Sequence, residues 1–398
     1  MYVERNINEG FKVLIENVKV IALVGPRQCG KTTFLKHLSK EYSANYVTFD
    51  DPDVRSIFND IKAFEGQYIH EGSPTILDEV QYGSDPGIKI KYLADRENFL
   101  WITSSTETLL GTSVLSHLVG RVSVKKLYPF DLEEFLRAKG QISLTETILH
   151  RFVDEHMMFG GFPGIVLQED KEVKVTLLRS LLETMILKDV ARTFSISDLD
   201  SLWRLARLIA VNVGSSLTID RICSDLDLSF QTVKKYIEAL RASYLYFEVP
   251  PFFHNKNLEM KKQPRYYFMD MGLRNALVNE FPLKPDGKAF ENYVMSEIVK
   301  WGFTPKYWRT KGGAEVDIVL EFGKEIIPIE IKTTLKGPRM SKGFMSFIEK
   351  YDPKRGYLVG YEVEERSTVK KGCTVKAVSI RNLKNELQEI QDHTIRSR

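Results

Sequence analysis

The sequence predicts an α/β chain in three parts: a parallel sheet opened by a phosphate-binding loop, a helical region containing a winged helix, and a second, C-terminal α/β unit. Three observations predict it. Apolar runs alternate with helical patterns over residues 1–135. The segment Gly25-Pro26-Arg27-Gln28-Cys29-Gly30-Lys31-Thr32 fits GxxxxGK[ST] between a strand and a helix. From Gly287 the pattern reads helix, three strands, helix, two strands, helix. With 398 residues, two or three domains are expected. We divide the chain at 1–135, 136–255 (winged helix at about 200–252), a Pro- and Asn-marked connection at 256–286, and 287–398.

The strands of the first part are KVIALVG, NYVTFD, PTILDEV, FLWITSST and RVSVKKLYP. Apolar runs of this kind suit a parallel sheet covered on both faces. The helical region carries apolar spacings of three and four from Val173 to Arg192 and from Leu199 to Val213.

Composition narrows the function classes. Net charge is +3, so the chain as a whole is no electrostatic binder of nucleic acid, and such a role needs a local patch. Cys29, Cys223 and Cys373 are far apart, which speaks against a disulfide framework or a zinc site. The opening MYVERNINEGF lacks the pattern of a signal peptide, and no apolar stretch is long enough to span a bilayer. The expectation is a cytoplasmic globular protein without membrane contact.

The loop from Gly25 to Thr32 has the residue types that a nucleoside triphosphate requires. Glycine lets backbone N–H groups approach a phosphate, and the following helix N-terminus favours an anion. Lys31 reaches the β- and γ-phosphates, the Thr32 hydroxyl ligates Mg²⁺, and Thr33 continues the site. ATP and Mg²⁺ are therefore the expected cofactors. Thr75-Ile76-Leu77-Asp78-Glu79 is an apolar strand ending in two acids. Asp78 suits an outer contact to Mg²⁺, and Glu79 suits deprotonating the attacking water. At the next strand end, Thr103, Ser104 and Ser105 read either as sensors of the γ-phosphate or as a helix cap. Arg121, just before a further strand, reads as a catalytic guanidinium acting in its own subunit or a neighbour's, or as a surface arginine.

The order GPRQCGKTT, ILDEVQ, WITSS, LVGRV, LYPFDLEEF, GGFPGIV and ILKDVAR resembles a large prokaryotic family of AAA+-related P-loop ATPases. The resemblance runs over nearly the whole chain. It implies ATP hydrolysis, a winged helix, a C-terminal domain, and an extra strand between the strands bearing Gly25 and Asp78. The chain departs from the wider pattern in having serine where many AAA+ proteins have a sensor asparagine. Gly160, Gly161 and Pro163 read only as a turn.

Residues 217–252 have helix-turn-helix rhythm, with Thr218 and Ser229 as N-caps and YLYFEV as a wing strand. Gln231, Lys234, Lys235 and Arg241 are the residues expected to face a groove. Acids and bases balance between residues 200 and 250, so a protein-contact module stands beside DNA binding.

The hairpin EVDIVLEF–EIIPIEIK places Asp317 and Glu330 on adjacent strands, with Lys332 on the face of Glu330. Two hard carboxylates suit Mg²⁺ or Mn²⁺, and a lysine beside them can orient water. Glu291 supplies a further acid. Residues 287–380 resemble the PD-(D/E)xK nuclease fold, with Asp317, Glu330 and Lys332 at its signature positions and Glu291 at its helix acid. Arg309, Lys311, Lys324 and Lys336 are the nearby bases expected to meet a phosphate backbone. The expectation is an ATPase acting on nucleic acid, DNA rather than RNA, with a homo-oligomer as an open option. The alternative is a nucleotide switch whose nuclease-like domain binds a protein without cleaving nucleic acid.

Overall fold

The computed structural model describes residues 2–105, 118, 120–141, 145–254, 259, 262–284 and 286–396. Parts of the stretch 256–286, and the residues that follow Ser105, lie outside this set.

Five strands build the first sheet: β1 Val20–Val24, β2 Asn45–Thr48, β3 Thr75–Asp78, β4 Leu100–Ser104 and β5 Val122–Lys126. Their order is β2-β3-β4-β1-β5, and every pairing is parallel. Helices cover both faces, so β1, β3 and β4 are buried along their whole length. That burial explains why they read as continuous apolar runs rather than alternating ones. β4 stands between β1 and β3, which is the expected extra strand.

The helical region packs Glu146–Phe159, Lys171–Thr184 and Leu199–Val211 around one core. The pattern from Val173 to Arg192 is not one α-helix. It changes at Met185 to a π-helical stretch, Met185–Arg192. Two capped helices follow. Thr218 accepts from Arg221 N, and Ser229 accepts from Thr232 N. They lead into β6 Tyr246–Val249, which pairs antiparallel with β7 Arg265–Phe268.

Here one expectation is corrected. The stretch 256–286 is more than a connection. It supplies β7 and the helix Met271–Val278, which packs on three helices of the preceding region. The Pro and Asn residues of this stretch mask these elements in the sequence. Asp270 opens that helix as its N-cap and also accepts from Gly161 N at 2.7 Å. A Cβ on Gly160 would sit 2.0 Å from Asp270 Oδ1, and one on Gly161 would sit 2.2 Å from Phe130 O. These glycines therefore let a buried carboxylate and the backbone at Phe130 come close, beyond shaping a turn.

The C-terminal sheet has the order β12-β13-β11-β10-β9-β8. Its strands are β8 Lys306–Arg309, β9 Glu315–Phe322, β10 Glu325–Leu335, β11 Arg355–Val363, β12 Arg366–Lys370 and β13 Cys373–Ser379. Helices Gly287–Lys300, Lys342–Tyr351 and Ile380–Arg396 flank it. β12 is a strand that the sequence reading did not contain. It is a mostly exposed, charged edge, as edge strands commonly are. Among the described residues no helix is long and apolar enough to cross a membrane.

The three parts meet around the segment Tyr128–Glu134. Lys384 from the last helix bonds Asp131 at 2.9 Å, Glu297 accepts from Leu132 N at 2.7 Å, and Lys300 pairs with Glu297 at 2.9 Å. The side chains of all four are buried. Breaking one side of such a pair leaves the other as an uncompensated buried charge, at a cost of about 3–5 kcal/mol.

Candidate functional site

The phosphate loop joins the end of β1 to the helix Lys31–Tyr42. A Cβ on Gly25 would lie 1.9 Å from Leu127 O, so only glycine fits between the loop and the residue after β5. Gly30, at φ 100°, turns the chain into the helix. Arg5 pins the loop from below: it donates to Cys29 O at 2.8 Å and Tyr128 O at 2.6 Å, and it pairs with Glu134 at 3.0 Å. Cys29 is fully buried, and burial pushes its thiol up in pKa, so it is a packing residue rather than a nucleophile. Lys31 Nζ donates to Gly25 O at 2.9 Å and Pro26 O at 3.0 Å, directly over the cradle.

β3 delivers the acids beside this loop. Thr32 Oγ1 lies 3.0 Å from both oxygens of Asp78. Tyr46 Oη donates to Asp78 Oδ2 at 2.7 Å, and Thr103 Oγ1 to Asp78 Oδ1 at 2.6 Å. Thr103 also accepts from Glu79 N at 2.8 Å, so one hydroxyl on β4 fixes both acids. Glu79 itself is held at φ 54°, in the left-handed region that costs a non-glycine residue about 1 kcal/mol or more. Gln81 Nε2 hydrogen-bonds Glu79 Oε2 and lies 3.5 Å from Ser105 Oγ. Of the three polar residues at the end of β4, Thr103 and Ser105 therefore touch the acid turn. Thr32 and Asp78 form a hard-oxygen pair that fits Mg²⁺.

Arg121 requires a correction. β5 runs parallel to β1 with Val122 beside Val20, so Arg121 lies at the end of the sheet away from the phosphate loop. It is half exposed and pairs with Asp95 at 2.8 Å. The length of β1 separates it from the phosphates, so the version acting within its own subunit is excluded.

In the C-terminal unit, β9 and β10 pair with Ile329 opposite Ile318, which brings Asp317 level with Glu330 on one face. Asp317 Oδ2 accepts from Ile331 N at 2.7 Å. Glu330 accepts from Ser341 N at 3.2 Å and pairs with Lys332 at 2.8 Å. Burial, then the charge of Glu291, pushes the Asp317 carboxyl up to about 7. Glu291 is close enough to act on Asp317, yet it is held elsewhere: Tyr267 Oη donates to it at 2.6 Å, and Arg265 lies 4.0 Å away. Among the described residues no group of three or more His, Cys, Asp or Glu is arranged to hold a metal. The expected three-acid set is thus not assembled, because β7 claims its third member. Arg309 also pairs, with Glu315 at 3.6 Å.

On the second helix of the capped pair, Gln231 and Lys234 are exposed. Lys235 donates to Ser195 O at 3.2 Å and Arg241 pairs with Glu238 at 2.6 Å, so two of the four expected groove-facing residues are engaged internally. A cavity of about 1030 Å³ lies away from the phosphate loop. It opens between Lys125, Arg241, Tyr244 and Trp301, where the three parts meet.

Comparison with known proteins matches three stretches of the chain. Residues 17–136 match the family model described as "AAA domain". This part of the chain is similar to AAA domains. Residues 150–284 match "Domain of unknown function (DUF8612)", and residues 286–391 match "Domain of unknown function (DUF4143)". An uncharacterized protein of Haemophilus influenzae is 24% identical over 339 residues, covering 79% of this chain and 82% of its own length. An uncharacterized protein of Methanocaldococcus jannaschii is 25% identical over 350 residues, covering 81% and 77%. Among solved structures, the Walker-type ATPase paby2304 of Pyrococcus abyssi aligns with a TM-score of 0.48 at 14% identity, covering 70% of this chain and 96% of that one. The ADP form of the Aeropyrum pernix ORC2 protein aligns with a TM-score of 0.35 at 12% identity, covering 75% and 95%.

Several residues around the phosphate loop were not legible in the sequence: Arg5 and Glu134 under the loop, Tyr46 on Asp78, Gln81 on Glu79, and Asp189 on Arg27. Gln81, two positions after Glu79, was the one with a local signal.

Proposed function

We propose that this chain is a Mg²⁺-dependent ATPase whose nucleotide state controls engagement of nucleic acid by the C-terminal unit. The observation that carries the ATPase part is the contact of Thr32 with Asp78, 3.0 Å apart, with Glu79 next on the same turn. Thr32 and Asp78 would hold Mg²⁺, which when bound neutralises charge on the β- and γ-phosphates. Lys31 and the loop amides orient the γ-phosphate. Glu79 orients a water against it and takes the proton as the bond to the β-phosphate oxygen breaks, giving ADP and phosphate.

The nucleic-acid part is supported by the order of the elements. Two capped helices followed by a β-ribbon have the order of a winged helix, with Gln231 and Lys234 exposed. The C-terminal order of helix, three strands and helix, with Asp317 level with Glu330, has the order of a PD-(D/E)xK nuclease. Asp317 and Glu330 would then hold Mg²⁺ or Mn²⁺, with Lys332 beside the water. A protein-binding switch is the second reading, favoured by the internal engagement of Lys235, Arg241 and Glu291. Full-length protein incubated with single-stranded, duplex and branched DNA and RNA, with and without ATP and Mn²⁺, separates them. Nucleotide-dependent binding or cleavage supports the first reading. ATP hydrolysis with no binding to any nucleic acid leaves the switch.

A further inference from the structure

Arg27 stands in the middle of the phosphate loop, but its guanidinium leaves the loop. Nε and Nη2 bond the two oxygens of Asp189 at 3.1 and 2.8 Å, and Nη2 lies 3.4 Å from Tyr82 Oη. Tyr82 belongs to the turn that begins at Glu79, and Asp189 belongs to the π-helical stretch Met185–Arg192. π-helical turns inside helices are frequent at functional sites. Asp189 is 3% exposed, and the charges of both Glu79 and Lys31 act on it. A buried carboxylate thus stands against the phosphate loop, held by the loop's own Arg27. Burial outweighs the Arg27 ion pair and pushes the Asp189 carboxyl up. A buried acid beside a triphosphate is costly, because like charges repel strongly where solvent is scarce.

We propose that Arg27 is a γ-phosphate ligand acting within its own subunit, and that Asp189 is its partner when no γ-phosphate is bound. ATP and Asp189 then compete for one guanidinium. This rests on the ATPase reading and goes beyond it by assigning the sensing residue and its route. A guanidinium offers the same two-pronged donor set to a carboxylate and to a phosphate, so the exchange needs little rearrangement of Arg27. ADP lacks the third phosphate and leaves the pair intact. When Arg27 turns to ATP, Asp189 is left buried and uncompensated beside the triphosphate, which drives the Met185–Arg192 stretch outward. That stretch is tied to the end of the helix Phe230–Ala242, because Ser243 Oγ donates to Asp189 O at 3.1 Å. The signal therefore reaches the two-helix unit and its ribbon. The ribbon strand β7 in turn holds Glu291, through Tyr267.

The test is equilibrium binding of ADP and of a β,γ-imido analogue of ATP to full-length protein. The variants are Asp189→Asn, Arg27→Lys and the double Arg27→Ala/Asp189→Asn, with thermal melts alongside. The double variant avoids leaving Asp189 unpaired, so loss of fold does not mimic loss of sensing. Asp189→Asn is expected to tighten the analogue by about 10-fold and leave ADP unchanged, since the amide competes less for Arg27. The double variant is expected to lose about 10–100-fold for the analogue relative to Asp189→Asn, again with ADP unchanged, the size of a charged hydrogen bond. Arg27→Lys, which keeps the charge but not the fork, is expected to fall between. A merely structural pair would lower the melting temperature and shift both nucleotides alike. An analogue-to-ADP ratio equal to the parent's in Asp189→Asn and in the double variant overturns the proposal alone. A parent that binds neither nucleotide overturns the ATPase reading and this proposal together.

Discussion

Asp317 shows how strongly one residue's surroundings govern its chemistry. Burial and the neighbouring Glu291 raise its pKa to about 7, well above an ordinary carboxylate. Between about pH 4 and 7 the folded chain therefore keeps a proton that the unfolded chain has released. The stabilising contribution is complete below the unfolded pKa and is lost as pH rises through the folded one. Melting of the parent is expected to weaken from pH 5 to 8, and Asp317→Asn is expected to remove part of that slope. Glu297, also raised to about 7 by burial, leaves a residual slope, so the difference between the two proteins is the quantity to read. Identical slopes would show that Asp317 ionises normally. The same carboxyl must release its proton to bind Mn²⁺, so calorimetric affinity should rise between pH 6 and 8 in the parent.

At the scale of elements, the GGFPG turn carries more than its sequence suggests. Gly160 ends the helix Glu146–Phe159 at φ 76°, with Asp270 Oδ1 2.0 Å from where a Cβ would stand. Gly160→Ala should therefore cost at least ~2 kcal/mol, combining strain in the backbone with displacement of a buried carboxylate. Urea unfolding of the full chain would read this; a variant within 0.5 kcal/mol of the parent, about the effect of an ordinary surface change, would refute it. The phosphate loop, β3 and the β9–β10 hairpin were legible because each writes its pattern within a few residues. β7 and the helix Met271–Val278 were not, because Pro- and Asn-rich flanks dominate the local signal while their packing partners lie far away in sequence. β12 was not legible because an exposed edge strand has no apolar face to alternate.

For the whole molecule, the buried charges around Asp131 join the three parts, and no local pattern announces them. Lys384 meets Asp131 from the other end of the chain, and Arg5 meets Glu134 from the beginning. Local motifs therefore expose the AAA site's Lys31, Thr32, Asp78 and Glu79, but not the residues that tie it to the rest. Arg121 illustrates the converse. Its motif is visible, but the parallel register places it away from its own phosphates, and any catalytic role must be played in a neighbouring subunit. Mixing Arg121→Ala with Lys31→Ala protein is then expected to restore part of the ATPase activity that neither has alone. No restoration, or a strictly monomeric protein by light scattering with ATP present, would reduce Arg121 to the surface partner of Asp95.

The central claim is that Glu79, held by Thr103 and Gln81 beside the Thr32–Asp78 pair, is the base of an ATPase. Steady-state ATP hydrolysis by the parent and by Glu79→Gln, each with ATP binding measured in parallel, tests it most directly. Glutamine preserves shape but cannot take the water's proton, so ATP affinity should be retained while turnover falls by ~10²–10⁴-fold. Turnover by Glu79→Gln equal to the parent's, at equal ATP affinity, would contradict the account.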